Sequence, residues 1–267
     1  MKKKNNNTNM IRKKILDIVY NSQASHIASS FSVVEILSSV YKSVDIKKIS
    51  DLDIDRDRVI LSKGHAAAAL YVILNQHGLM SNNDLETYHT NGSLLGGHAT
   101  HNVPYVEHST GALGHGLSVA TGIAIGLKSK NFNSRVFVIV GDGELHEGSN
   151  WEALMLASHL NLNNLCILVD NNRLSGIGNT YACCSLESLQ QKFEAFGLKS
   201  FEIDGHDENE IYEIIQKSKA TNQPIAIVCN TIKGKGVSFM ENNNVWHYRP
   251  PGTEEYQKAI LELLEEK

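Results

Sequence analysis

Two apolar, β-branched runs constrain the fold more than any other feature of this chain. Arg135 to Val140 stops at Gly141-Asp142-Gly143, and Leu165 to Val169 ends at Asp170-Asn171-Asn172. Short runs of this kind read as fully buried strands. Between them, Ser149 to Leu160 sets Trp151, Leu154, Met155 and Ala157/Ser158 at helical spacing. Strand, helix and strand make a β-α-β unit, whose strands must be parallel. The alternation continues with a helix over Leu186 to Phe196, a strand over Lys199 to Ile203, a helix over Glu208 to Ala220 and a strand over Ile225 to Cys229. The expected fold class is therefore α/β, a doubly wound, mainly parallel sheet with helices on both faces. Such sheets bind ligands at the carboxyl ends of their strands, where both runs deliver oxygen side chains.

Those oxygens suit a hard cation. Asp142 offers a carboxylate, Asn172 an amide oxygen, and Leu174, two residues on, a backbone carbonyl. Mg²⁺ takes about six oxygens and is usually held by one or two protein carboxylates together with phosphate oxygens and water. Glycines on either side of Asp142 let the backbone come close to a ligand, and free N–H groups at the following helix suit an anion. The reading is a Mg²⁺-bridged diphosphate site. For GDG alone a tight turn with an Asx-type cap stays open; Asn171-Asn172 after the next strand favours the site.

GDG and NN at this spacing resemble the thiamine diphosphate signature, and GDGELHEGSNWEALMLAS resembles transketolase in particular. The resemblance runs from about Ile11 to Pro251 and corresponds in length to the N-terminal, diphosphate-binding third of a full-length transketolase. It implies thiamine diphosphate and Mg²⁺, with Ca²⁺ or Mn²⁺ as substitutes, and metal ligands Asp142, Asn172 and Leu174, with Gly143 beside them.

Further motifs gain meaning from that likeness. Ile11 to Ser22 has helical spacing, Ser25 to Ser30 reads as a polar turn, and Phe31 opens a second helix. A lone loop histidine is usually just solvated, but the family has one facing the substrate where His26 stands. In LSKGHAAAALY, Lys63 and His65 at a helix start suit a phosphate, or simply a cap; the resemblance implies that His65 touches the diphosphate. GGH implies that His98 contacts the donor substrate, although Ala99 stands where relatives usually have proline. Ser109 to Gly116 is not the dinucleotide fingerprint GxGxxG. It resembles the family's TGxLGxG, which implies that Leu113 and Gly114 line the thiazolium pocket. A helix is expected from there to about Leu127, with Gly116, Ala120 and Ala124 as a small-residue stripe. That stripe suits either the chain's own sheet or another subunit; because transketolases are dimers, a subunit contact is the favoured expectation.

Glu147, where the helix dipole already favours a carboxylate, is implied to join an acidic network between two sites. Lys233 is implied to point toward cofactor and substrate. Trp246-His247 matches the family's W-H-G, with Tyr248 replacing the glycine. His26, His98 and His247 are thus the candidate catalytic residues. Asp142, Gly143, Asn172, His65, Leu113, Gly114, Glu147, Lys233 and His247 are the candidate cofactor residues. Thr253 to Glu265 reads as a capped helix.

The organisation expected is a disordered lead-in over residues 1–10 and one diphosphate-binding domain over residues 11–267 with a C-terminal helix. Net charge of −4 lacks the basic footprint of a nucleic-acid binder. The longest apolar run, Ala66 to Leu74, is too short to span a membrane. Four cysteines without metal-ligand spacing read as reduced thiols. A cytoplasmic protein is expected. The family's cofactor-activating glutamate and its aminopyrimidine-holding aromatic belong to a second, pyrimidine-binding domain. A separate C-terminal subunit in an α₂β₂ assembly is therefore expected, acting on sugars or sugar phosphates by two-carbon ketol transfer. The alternatives are an enzyme of a branched-sugar or secondary pathway and a non-catalytic cofactor-binding subunit.

Overall fold

The computed structural model describes residues 6–265. Five parallel strands form one sheet in the order β1-β2-β3-β5-β4. They are β1 (Arg58–Leu61), β2 (Val136–Gly141), β3 (Leu165–Asn171), β4 (Lys199–Asp204) and β5 (Ile225–Asn230). Around them in chain order lie α1 (Asn6–Ser22), α2 (Ile27–Ser32), α3 (Val34–Ser43), α4 (Ile46–Ser50), α5 (Ala67–Gln76), α6 (Asn82–Glu86), α7 (Gly116–Ser129), α8 (Gly148–His159), α9 (Thr180–Cys183), α10 (Leu189–Ala195), α11 (Glu208–Lys217) and α12 (Thr253–Leu264).

Both faces of the sheet are covered, and the strand residues divide with period two. Phe137, Ile139, Cys166, Leu168, Ile225 and Ile227 join one core, together with apolar residues of α1, α2, α3, α5 and α11. Val136, Val138, Val140, Ile167, Val169 and Val228 join the other, with α7, α8 and α10. This double burial is why these strands read as continuous apolar runs instead of alternating ones. Among the described residues no helix is long and apolar enough to cross a membrane, and all four cysteines are free.

Three expectations change. Helix α1 begins at Asn6, so residues 6–10 of the supposed lead-in are helical, while residues 1–5 lie outside the described residues. The supposed turn Ser25 to Ser30 is mostly helix: α2 starts at Ile27, and all its residues are buried. The stripe Gly116, Ala120 and Ala124 faces the chain's own sheet. Ala120 and Ala124 are wholly buried, and a Cβ on Gly116 would collide with Ser62 at the end of β1. Close helix-to-sheet packing, not a subunit contact, explains these small residues. Gly122 and Gly126, on the opposite side of α7, face open space.

Candidate active site

At the carboxyl edge of the sheet, β2 and β3 run in register with Gly141 opposite Asp170. The chain leaves both strands here, so Asp142 and Asn172 emerge beside each other. The Asp142 N–H donates to the Asp170 carbonyl at 3.2 Å, which ties the two strand ends together. Asp142, Asn172 and Leu174 line one cavity of about 340 Å³, together with Lys63, His65 and Gly143.

Asn172 is oriented from behind. Its amide nitrogen donates to Ser32 Oγ at 3.2 Å and to Asp170 Oδ2 at 3.4 Å. That leaves the amide oxygen to accept from the Leu174 N–H at 3.1 Å. The Asx-type turn therefore exists, and it does not compete with metal binding, because an amide oxygen has two lone pairs. Arg173 between them adopts a left-handed φ of 63°. Such strain in a non-glycine residue persists only where surrounding contacts hold it.

Asp142 is 5% exposed and accepts from Thr180 Oγ1 at 2.9 Å. Burial pushes its carboxyl above the usual range, and neighbouring Asp170 adds to this against the Thr180 hydrogen bond. A buried carboxylate so disfavoured is a group that a divalent cation would stabilise. Among the described residues no three His, Cys, Asp or Glu are grouped to hold a metal. A cation here would rest on one carboxylate with neutral amide and carbonyl oxygens, the donor set that suits Mg²⁺ and not zinc.

Four histidines far apart in sequence meet over this cavity. His26 lies 5.3 Å from His65, 5.5 Å from His98 and 5.1 Å from His247 between ring centroids. His26 is the hub, with a left-handed φ of 68° just before α2. Its N–H donates to the His247 carbonyl at 3.0 Å, which fixes two distant segments to each other. Tyr248 closes one side, 4.4 Å from the His247 ring and 5.6 Å from His26. Burial, then nearby positive and imidazole groups, lowers His26 to about 4 and His247 to about 3. Burial also holds His65 well below its ordinary value and lowers His98. At neutral pH these rings are uncharged, each with one nitrogen to accept and one to donate a proton.

Neutral, buried imidazoles make stability depend on pH in a definite direction. In the unfolded chain an imidazole titrates near 6.5, but folded His26 does so near 4 and His247 near 3. In the interval the unfolded chain binds more protons, so stability falls as pH falls through it. Thermal unfolding followed by circular dichroism should show Tm declining from pH 6.5 toward 4. The decline should be smaller in a His26→Gln/His247→Gln variant. An equal decline in both proteins would contradict buried neutral imidazoles.

Not every expected residue reaches the cavity. Lys63 lines it, but its ammonium is held by the Asp170 carboxylate and the Ser29 carbonyl, so it is not a free phosphate donor. Lys233 is wholly buried and is not among the residues that line the cavity. Its Nζ donates to His247 Nδ1 at 2.8 Å and to the Leu174 carbonyl at 3.0 Å. Burial first, then Lys63, brings its ammonium down to about 8. Leu113 lines the cavity. Gly114 stands one layer back with φ 87°, its N–H on Glu144 Oε1 at 3.0 Å. Glu147 is exposed on the chain's surface, against Gly114 and outside the cavity.

The buried glutamate of this segment is Glu144, which sequence reasoning passed over. It accepts from Ser62 Oγ, from Gly114 N and from Gly141 N at 3.2 Å, joining three site segments. Asp170 was also missed as a hub: it receives Lys63, Thr231 Oγ1, and Ser32 Oγ at 2.6 Å. A carboxylate one residue past GDG and another just before NN were visible in the sequence, but nothing there says that Glu144 and Asp170, and not Glu147, are the buried ones.

The transketolase, thiamine diphosphate binding domain family matches residues 3–263. The chain is 39% identical over 258 residues to an apulose-4-phosphate transketolase subunit of Phocaeicola vulgatus, covering 95% of this chain and 91% of that protein. It is 34% identical over 261 residues to a 6-deoxy-6-sulfo-D-fructose transketolase subunit of Clostridium sp., covering 97% of this chain and 95% of that one. Its fold superposes on the transketolase of Campylobacter jejuni with a TM-score of 0.87 at 29% identity, over 96% of this chain. It spans only 42% of that longer transketolase.

Proposed function

This chain belongs to the transketolase, thiamine diphosphate binding domain family, and from that premise we propose that it is the N-terminal subunit of a split transketolase. It moves a two-carbon ketol unit from a ketose or ketose phosphate to an aldose. It works with thiamine diphosphate, with Mg²⁺ or with Ca²⁺ or Mn²⁺ in its place, and with a separate subunit carrying the pyrimidine-binding domain, in a cytoplasmic α₂β₂ assembly. The observation that carries this reading is the cavity itself, where Asp142, Asn172 and Leu174 lie beside His26, His65, His98 and His247. The division between two chains is supported by relatives named as subunits, of which this chain covers 91% and 95%.

When bound, thiamine diphosphate supplies a nucleophilic thiazolium carbon and an electron sink for breaking a carbon–carbon bond next to a carbonyl. This chain's residues do the rest of the work on its side. Asp142, Asn172 and the Leu174 carbonyl would hold the metal, and His65 with the Gly143 turn would bind the diphosphate. Leu113 lines the wall where the ring would lie, with Gly114 packed behind it, and Glu147 would join an acidic network between two sites. His26 and His98 would accept and return protons at the donor's carbonyl and hydroxyl oxygens, while His247, whose Nδ1 accepts from Lys233, would offer its Nε2–H to one of those oxygens. Lys233 presents His247 by bonding its Nδ1, so that Nε2 is the nitrogen offered to substrate. A purely binding subunit would not need four neutral imidazoles converging on one cavity, which argues against the non-catalytic alternative.

Tyr248 favours a specialised sugar substrate. It is 65% exposed at the cavity edge, and a Cβ on Gly176 would meet its hydroxyl at 2.7 Å. The ring narrows the mouth beside His247. Tyr248→Gly should therefore shift the ratio of kcat/KM between a bulky and a slender donor by about tenfold or more. A ratio unchanged across a panel of ketose donors would remove Tyr248 from specificity.

The test of the function is reconstitution. Ketol transfer is followed with this chain, with its partner subunit, and with both, in the presence of Mg²⁺ and thiamine diphosphate. Activity is expected only from the mixture. Full activity from this chain alone would overturn the divided site.

A further inference from the structure

Behind the site, on the side away from the cavity, a polar network runs from the first helix to Lys233. Arg12 of α1 and Glu35 of α3 form a buried ion pair at 2.6 Å, with side chains 2% and 5% exposed. Arg12 also donates to the Phe31 carbonyl at 3.0 Å. His206, in the loop after β4, places Nδ1 2.9 Å from the same Glu35 oxygen. Its other nitrogen, Nε2, receives the Ile232 backbone N–H at 2.8 Å.

That last bond decides the tautomer. A nitrogen accepting a hydrogen bond carries no proton, so the proton is on Nδ1 and is donated to Glu35. His206 is thus a fixed two-ended connector between a buried carboxylate and one peptide group. Ile232 is followed by Lys233, whose Nζ bonds His247 Nδ1 and the Leu174 carbonyl. Its neighbour on the other side, Thr231, bonds Asp170 through its hydroxyl. The stretch just beyond β5 therefore supports both the metal-ligand turn and the histidine cluster. The backbone there is tightly enclosed: a Cβ on Gly205 would meet Thr231 Cγ2 at 2.5 Å and the Asn230 carbonyl oxygen at 2.9 Å. The segment has little freedom to find another position.

We propose that His206 is a positioning residue for the reaction: by holding the Ile232 peptide between Glu35 and the end of β5, it sets where Lys233 meets His247 and the Leu174 carbonyl. The proposal rests on the transketolase reading for its kinetic consequence, but not for its structural one. Burial pushes Glu35 up, while the Arg12 charge and the bonds from His206 and Arg12 outweigh it and hold the carboxyl at about 2. The anchor is thus a carboxylate at all working pH values.

Three substitutions separate positioning from bulk support. His206→Leu removes both bonds. His206→Asn keeps the donor to Glu35 but is too short to receive the Ile232 N–H. His206→Gln carries donor and acceptor on one planar group and can restore both. In the assembled enzyme, kcat should fall about 10- to 100-fold in the Leu and Asn variants, with KM changed much less, and should recover substantially in the Gln variant. A second readout does not depend on activity. In the full chain labelled with ¹⁵N-histidine, the Nδ1 resonance of His247, assigned with a His247→Gln variant, should lose its hydrogen-bonded shift in the Asn variant and regain it in the Gln variant. If the Leu variant does not fold, the Asn variant decides. An unchanged His247 resonance in a folded Asn variant overturns the proposal. A shifted resonance in a chain whose parent assembly transfers no ketol unit retains the positioning role and overturns the transketolase reading instead.

Discussion

Asp142→Asn should abolish cofactor retention by the assembled enzyme while leaving the metal-free chain as stable as the parent, or more so. The carboxylate is the one anionic oxygen among the proposed metal ligands. Groups that merely support a metal ligand already account for about 10- to 100-fold in affinity or activity, so loss of the ligand itself should cost more than about 100-fold in ketol transfer. The stability effect has the opposite sign. Burial raises the folded Asp142 carboxyl above its ordinary 3.8, so the folded chain holds its proton more firmly than the unfolded chain does. Stability from this group is present at low pH and declines as pH rises through 3.8 toward the folded value. An asparagine removes that decline and still accepts from Thr180 Oγ1, which the parent does at 2.9 Å. Differential scanning of both proteins, with and without Mg²⁺ and thiamine diphosphate, should show ligand-dependent stabilisation in the parent only. Equal stabilisation in the variant would contradict the ligand assignment.

Lys63→Met should be the most destabilising single change near the site. Lys63 and Asp170 have side chains 2% and 0% exposed and form one ion pair. Removing one partner of a buried pair leaves an uncompensated charge and costs about 3–5 kcal/mol, a fall in Tm on the order of 10 °C. Burial alone would push Asp170 up; the Lys63 charge and the bonds from Lys63, Ser32 and Thr231 hold it below 3.8 instead. That part of the stability is present above 3.8 and lost as pH falls through the folded value. Without Lys63 the carboxyl rises, and this acid-side contribution should vanish. Because Asp170 also bonds the Asn172 amide nitrogen, the variant should lose Mg²⁺-dependent cofactor binding as well as stability. Chemical denaturation at two pH values measures the stability loss, and cofactor titration measures the other; a loss below about 1 kcal/mol would mean that the pair contributes as little as an exposed one.

The sheet was readable because both its faces are buried, which turns Val136 to Val140 and Leu165 to Val169 into unbroken apolar runs with oxygen residues at their ends. Asp142 and Asn172 could be picked out for the same reason, since chain order in a β-α-β unit dictates which loops share an edge. The histidine cluster was a different matter. His26, His65, His98 and His247 come from four unrelated segments, and only the family likeness joined them before the fold did. Local spacing misled where burial depends on distant partners. Ala120 and Ala124 look equally suited to a subunit or to a sheet, and only the position of β1 and β2 decides. Glu144 and Glu147 sit on one short segment, yet the former turns inward to Ser62 and Gly114 while the latter stays at the surface. Lys233 reads as a loop cation, but its partners, His247 and Leu174, are far from it in sequence.

Two neighbouring strand ends should gather one cation that anchors a diphosphate. Crystals of the assembled enzyme grown with thiamine diphosphate and Mn²⁺ test it through the anomalous scattering of the metal. A single strong peak is expected in contact with the Asp142 carboxylate, the Asn172 amide oxygen and the Leu174 carbonyl, adjoining the diphosphate. A diphosphate bound in the cavity with no metal peak there, or a peak held by other residues, would contradict it.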